Sequence, residues 1–131
     1  MNLNSPKQTV HTSSKEIFEF LSDVKNFEKL MPENISKFEI IGEDRFVFAL
    51  SGMPEVALQL KEKKPYETLV LGAAGGKLDF NLSADITELS PDKSEVQFLF
   101  DGEFNAMIGM MIKGPINKLI ETLVINLAKV V

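Results

Sequence analysis

Apolar residues recur along this chain with two different periods, and the change of period divides it into three parts. Lys7 to Thr12 reads as a first strand, after which Ser13, with Glu16 three residues on, supplies a capping-box start to a helix. Ile17, Phe18, Leu21 and Val24 then follow helical spacing. A second short helical turn over Phe27 to Met31 is closed by Pro32, because proline disfavours helical geometry in the residue before it. From Ser36 to Phe104 the period is two, broken by turn residues at Gly42-Glu43-Asp44, Gly52-Met53-Pro54, Lys64-Pro65, Gly75-Gly76 and Ser90-Pro91-Asp92-Lys93, which predicts six further strands. In Lys77 to Glu88, the apolar Leu78, Phe80, Leu82, Ala84 and Ile86 alternate with polar neighbours, the mark of an antiparallel sheet with one dry face.

Turn lengths predict register. A two-residue turn at Gly75-Gly76 sets Leu71 opposite Phe80 and Leu69 opposite Leu82. A three-residue loop over Gly42 to Asp44 sets Ile40 opposite Phe46 and Phe38 opposite Phe48, whereas a two-residue loop would oppose Glu39 and Phe48. The last part, Asn105 to Val131, is helical but contains Gly114-Pro115, where a kink or break is expected. Beyond it, Ile116, Leu119, Ile120, Leu123, Val124, Leu127 and Val131 form one apolar arc. An unbroken helix would place Gly109 and Lys113 on that arc and turn Met107, Met110 and Met111 away, so the two halves are expected to point differently.

The order strand, helix, short helix, six antiparallel strands, long helix resembles the START-like superfamily, also called SRPBCC, which includes the birch pollen allergen, polyketide cyclases and lipid-transfer domains. Ser13-Ser14-Lys15-Glu16-Ile17-Phe18-Glu19-Phe20-Leu21-Ser22-Asp23 and Phe27-Glu28-Lys29-Leu30-Met31-Pro32 carry the resemblance, which extends over essentially the whole chain. It implies an α+β helix-grip fold: a seven-stranded curved antiparallel sheet wrapped around a long C-terminal helix, with two short helices after the first strand. It also implies a cavity between sheet and helix for a lipid, polyketide, quinone or similar molecule, in one domain spanning residues 1–131.

The face assigned inward holds Phe38, Ile40, Phe46, Phe48, Leu50, Val56, Leu58, Leu60, Leu69, Leu71, Leu78, Phe80, Leu82, Ile86, Val96, Phe98, Phe100 and Phe104, which include seven of the ten phenylalanines. The expected ligand-binding residues are Phe38, Phe46, Phe48, Leu58, Leu60, Leu71, Phe80, Leu82, Phe98, Phe100, Phe104 and Leu119, with Met107 and Met111 as adaptable thioethers at the mouth. The competing expectation is a solid interior in which the rings fill all space.

Composition narrows the chemistry. Hydrophobic residues make up 44% and charged residues 25% of the 131, enough for one core with about two-thirds of the unfolded surface buried. Cysteine is absent and His11 is the only histidine, which removes thiol chemistry, disulfides and the usual zinc sites, so no metal or cofactor is expected. A net charge of −5 with scattered lysines opposes nucleic-acid binding. No stretch approaches the roughly 20 apolar residues of a membrane span and Met1 to Val10 lacks a secretion signal, so a cytosolic protein without stable membrane anchoring is expected. The centre of the apolar face offers no proton-exchanging group, which predicts binding without catalysis. Gln8, Glu62 and Glu67 share the inward parity near strand ends, while His11 and Tyr66 point outward. The alternatives are a cyclase or hydratase using Glu62, Glu67 or His11, and a regulatory module binding a protein through apolar residues before Pro115.

Overall fold

The computed structural model describes residues 1–75 and 79–131. The chain runs through β1 (Asn2–Asn4), β2 (Gln8–Val10), α1 (Ser14–Ser22), a 3₁₀ helix (Val24–Leu30), β3 (Ile35–Gly42), β4 (Arg45–Leu50), β5 (Val56–Lys64), β6 (Thr68–Ala73), β7 (Phe80–Ser90), β8 (Lys93–Gly102) and α2 (Ala106–Val130). All pairings are antiparallel, in the order β1-β8-β7-β6-β5-β4-β3, with β2 also on β8. This is the expected α+β helix grip. β1 was not legible as a strand. It and β2 are two parts of one edge position, separated at Ser5-Pro6-Lys7.

Ser5 joins the two parts. It is buried, its backbone N–H donates to the Phe98 carbonyl at 2.9 Å, and its Oγ accepts from the Phe98 N–H at 2.9 Å. The side chain thus replaces a ladder bond that the chain break before Pro6 would otherwise lose. Nearby, the buried Ser94 Oγ donates to the Thr12 carbonyl at 3.0 Å.

Both short helices lie where the pattern put them. Ser13 Oγ accepts from the Glu16 N–H at 3.2 Å, but the return half of the capping box is not made: Glu16 Oε2 accepts from Thr12 Oγ at 2.6 Å instead. Asp23 caps the 3₁₀ helix by accepting from the Lys25 N–H. Ile17, Leu21, Phe27 and Leu30 are fully enclosed.

The β3–β4 hairpin has the expected register, with Ile40 opposite Phe46 and Phe38 opposite Phe48. Its turn closes on Gly42 and Arg45, Asp44 takes φ 59°, and a bulge between Ile40 and Gly42 absorbs the odd residue. The second register expectation is corrected. Leu71 faces Leu82 and Leu69 faces Ala84, two residues from the pairing that a Gly75-Gly76 turn would set. An even slip leaves every side chain on its face, so alternation is blind to it. β7 begins at Phe80; the expected positions of Gly76, Lys77 and Leu78 lie outside the described residues.

Two other inward assignments change. Ile40 is 40% exposed, because β3 is the sheet edge and this end of it runs beyond the helices. A bulge between Leu60 and Glu62 reverses parity, so that Glu62 pairs with the outward Val70 and is exposed.

α2 is also corrected. It is continuous through Gly114-Pro115 over 25 residues, about 37 Å. Proline removes one hydrogen bond toward Met111, yet the helix runs on through it, and a Cβ added at Gly114 would meet nothing within 4 Å. Gly109 does fall on the buried arc, where Met1 covers it; an added Cβ would stand 3.2 Å from the Met1 methyl. Lys113 remains exposed, and the arc is carried back by the buried Ile112 and half-buried Ile108.

Replacing Ser5 by Ala leaves the buried Phe98 N–H without a partner. Urea unfolding should show a loss of about 1–3 kcal/mol, against little change for Ser36→Ala, whose hydroxyl is on the exposed edge strand.

Candidate functional site

The concave face of the sheet is divided between a solid part and a hollow part. In the solid part, Phe46 stacks on Phe27 at 5.5 Å and on Phe38 at 5.1 Å between ring centroids, under the 3₁₀ helix. Leu69, Leu71 and Phe98 are likewise enclosed there. α2 is fixed over this region: Asn126 Nδ2 donates to the Leu30 carbonyl at 2.9 Å, and Leu123 and Leu127 are fully buried.

In the hollow part, a cavity of about 220 Å³ remains between α2 and strands β4, β5, β7 and β8. Its sheet wall includes Phe48, Val56, Leu58, Phe80, Leu82 and Phe100; Ile112, Ile116, Leu119 and Ile120 of α2 form the roof. Met53, Pro54 and Glu55 of the β4–β5 loop line the mouth, with Gly75 and Phe104. Phe80, Phe100 and Phe104 stack in series at 5.3 and 6.0 Å.

Gly102 makes this series possible. It follows Phe100 by two on the inward face, where a side chain would ordinarily point into the cavity. A Cβ there would lie 2.8 Å from both the Phe104 ring and Phe80 Cβ. The missing side chain leaves the notch in which Phe104 folds back against the sheet.

Of the expected ligand-binding residues, Phe48, Leu58, Phe80, Leu82, Phe100, Phe104 and Leu119 line the cavity. Phe38, Phe46, Leu60, Leu71 and Phe98 lie instead in the packed part or at its margin, because helices cover that end of the sheet. Met107 and Met111 are on the outer side of α2, a direct result of the unbroken helix. Ile112, Ile116 and Ile120 were missed as lining although their spacing of four residues was available; the expected break at Pro115 hid its continuation. Met53, Pro54 and Glu55 carried no such signal, since a turn between strands does not announce which way it folds.

Among the described residues, Glu55 is the one acidic residue on the cavity wall. It is at the rim, where Lys37 Nζ donates to its carboxylate at 2.6 Å, and this hydrogen bond with the accompanying charge attraction raises the lysine above its usual range. Glu39 adds a weaker contact at 3.8 Å. Both partners are about half exposed, so the pair adds little stability. That small contribution holds below the ordinary lysine value and fades as pH rises through the raised one. Glu62, Glu67 and His11, the proton-transfer candidates, are exposed and do not line the cavity; Tyr66 packs its ring edge on Phe18 at the outer end of the sheet. Among the described residues no buried side-chain polar atom lacks a partner, and no cluster of acidic residues and histidine has the arrangement of a metal site. Among the described residues no helix is long and apolar enough to cross a membrane.

No family model matches the sequence, and no curated protein matches it. The three-dimensional comparison is different. The fold is similar to that of the protein XoxI from Bacillus cereus, with a TM-score of 0.76 at 7% identity over 98% of this chain and 93% of that one. A START superfamily protein from Mycobacterium smegmatis aligns with a TM-score of 0.75 at 16% identity, covering 98% and 94%. Norcoclaurine synthase from Thalictrum flavum aligns with a TM-score of 0.77 at 12% identity, covering 98% and 84%, and a further structure of that enzyme holds dopamine and hydroxybenzaldehyde. With nearly the whole chain superposed on these structures and the sheet closed around α2 as described, the protein has the START-like helix-grip fold.

Proposed function

We propose that the 131 residues act as one unit that binds or carries a small hydrophobic molecule in the cavity between sheet and α2. The observation that carries this reading is the cavity itself: apolar walls, about 220 Å³ of space and, among the described residues, one charged side chain, which is already paired at the rim. Dry apolar cavities of about 150 Å³ hold a single benzene ring, and drug-sized pockets begin near 300 Å³. The guest is therefore a compact one: one or two fused rings, or a short acyl chain, smaller than a sterol.

Affinity should be moderate. Burying about 200 Å² of apolar ligand surface at roughly 25 cal/mol per Å² contributes about 5 kcal/mol, which corresponds to dissociation constants between millimolar and micromolar. With no hydrogen-bonding side chain deep inside among the described residues, selectivity rests on shape and on the flat faces of Phe80, Phe100 and Phe104. The fold neighbours support a ligand-binding role, and norcoclaurine synthase keeps an enzymatic alternative in view. Glu55 would be its proton-exchanging group, since Glu62, Glu67 and His11 are away from the cavity. A cytosolic setting fits a chain without a membrane-crossing helix.

Ile112→Phe puts a ring into the cavity from the roof. Titration with a naphthalene-type fluorescent probe should show binding weakened at least about tenfold, roughly the effect of losing 1.4 kcal/mol, with the thermal midpoint nearly unchanged. Wild-type protein that takes up no apolar probe, and carries none by native mass spectrometry when purified from its host, would sink the proposal.

Gly102→Ala must displace Phe104. The expected cost is about 1–3 kcal/mol in stability with altered probe affinity, measured in parallel with Gly114→Ala, which meets no neighbour and should leave affinity as it was. Glu55→Gln should leave binding of a neutral probe unchanged; loss of turnover of any substrate in that variant, with binding kept, would favour the enzymatic alternative.

A further inference from the structure

Ala106 to Ile112, the first two turns of α2, contain no polar side chain. A helix that is apolar on all sides belongs in surroundings that are apolar on all sides. Here the inner side meets that condition, with Ile112 buried and Ile108 half-buried. The outer side does not: Met107, Met110 and Met111 are 80%, 85% and 58% exposed. Three neighbouring long apolar side chains in water on one helix face mark a contact surface.

Charge indicates what that surface meets. From Phe104 to Ile120 the charged residues are Lys113 and Lys118, both exposed, in a chain whose net charge is −5. At 100° per residue Lys118 projects on the same side as Met107 and Met111, and Lys113 flanks Met110. The nearest acids in sequence are Glu103, before the helix, and Glu121, one turn beyond Lys118 at the far end of the patch. The segment therefore presents thioethers edged by cations on an otherwise acidic molecule.

We propose that this face docks on an anionic lipid surface, with the three methionines among the upper acyl carbons and the two lysines against phosphate groups. A second copy of the chain fits less well, since two molecules of net charge −5 repel one another. Flexible thioethers suit an irregular, fluid partner. The same turns of α2 carry Ile112, and the next one Ile116, on the cavity roof, so docking would set the cavity beside an apolar phase. That consequence rests on the proposed binding function; the docking itself does not.

The test is co-sedimentation of the full chain with vesicles of phosphatidylcholine alone and of phosphatidylcholine with phosphatidylglycerol, at low and high salt. Retention should be greater with the anionic lipid and reduced by salt. Met107→Gln, Met110→Gln and Met111→Gln combined should cut it at least about tenfold, and Lys113→Glu with Lys118→Glu should abolish the gain from phosphatidylglycerol. All five side chains are exposed, so the thermal midpoint should not move. Retention no greater on anionic than on neutral vesicles, or undiminished in the methionine variant, overturns the proposal. So does a dimer in light scattering that the methionine variant dissolves, which would assign the face to a second copy. Naphthalene-probe uptake without vesicles reads the cavity separately, so failure of docking and failure of ligand binding are distinguished.

Discussion

One helix cannot cover the concave face of this sheet. Seven strand positions at about 4.8 Å spacing span roughly 29 Å, whereas a helix with its side chains is about 10 Å across. α2 packs on β8, the N-terminal strands and the 3₁₀ helix, and the Asn126 bond to Leu30 fixes that docking. α1 and the 3₁₀ helix cover a further part with Ile17, Leu21, Phe27 and Leu30. The area beneath the first half of α2 is what remains, and the cavity is there.

The phenylalanines consequently have two uses although they share one face. Phe46 is enclosed by Phe27 and Phe38 and contributes to the core, while Phe48, two residues on, faces empty space. Phe80, Phe100 and Phe104 stack on one another along the wall of the cavity. Gly102 permits this by leaving Phe104 a place against the sheet. A small residue in the middle of an apolar strand face thus shapes the site as much as the large ones do.

The polar groups are at the periphery. Lys37 and Glu55 neutralise each other at the rim, and the buried serines serve the edge strands, Ser5 by holding β1 to β8 and Ser94 by bonding Thr12. For the proposed binding role, the interior would have dispersion and the exclusion of water as its means of recognition, which favours breadth over discrimination.

Period two from Ser36 to Phe104, the capped helix after Ser13 and the apolar arc after Pro115 determined the elements and their faces, because these depend on local geometry that repeats every two or 3.6 residues; the grip of sheet on helix was implied by the family resemblance. The β3–β4 register was also legible, since an odd slip would have opposed Glu39 and Phe48. Tertiary structure decided what local periodicity cannot carry. An even slip between β6 and β7 preserves every face, the bulge at Lys61 turned Glu62 outward, and α2 continued past Pro115 so that the methionines face out and Ile112 faces in. Which inward rings line space and which fill it was settled by the coverage of each stretch of sheet, a property of distant segments brought together and therefore absent from any one of them.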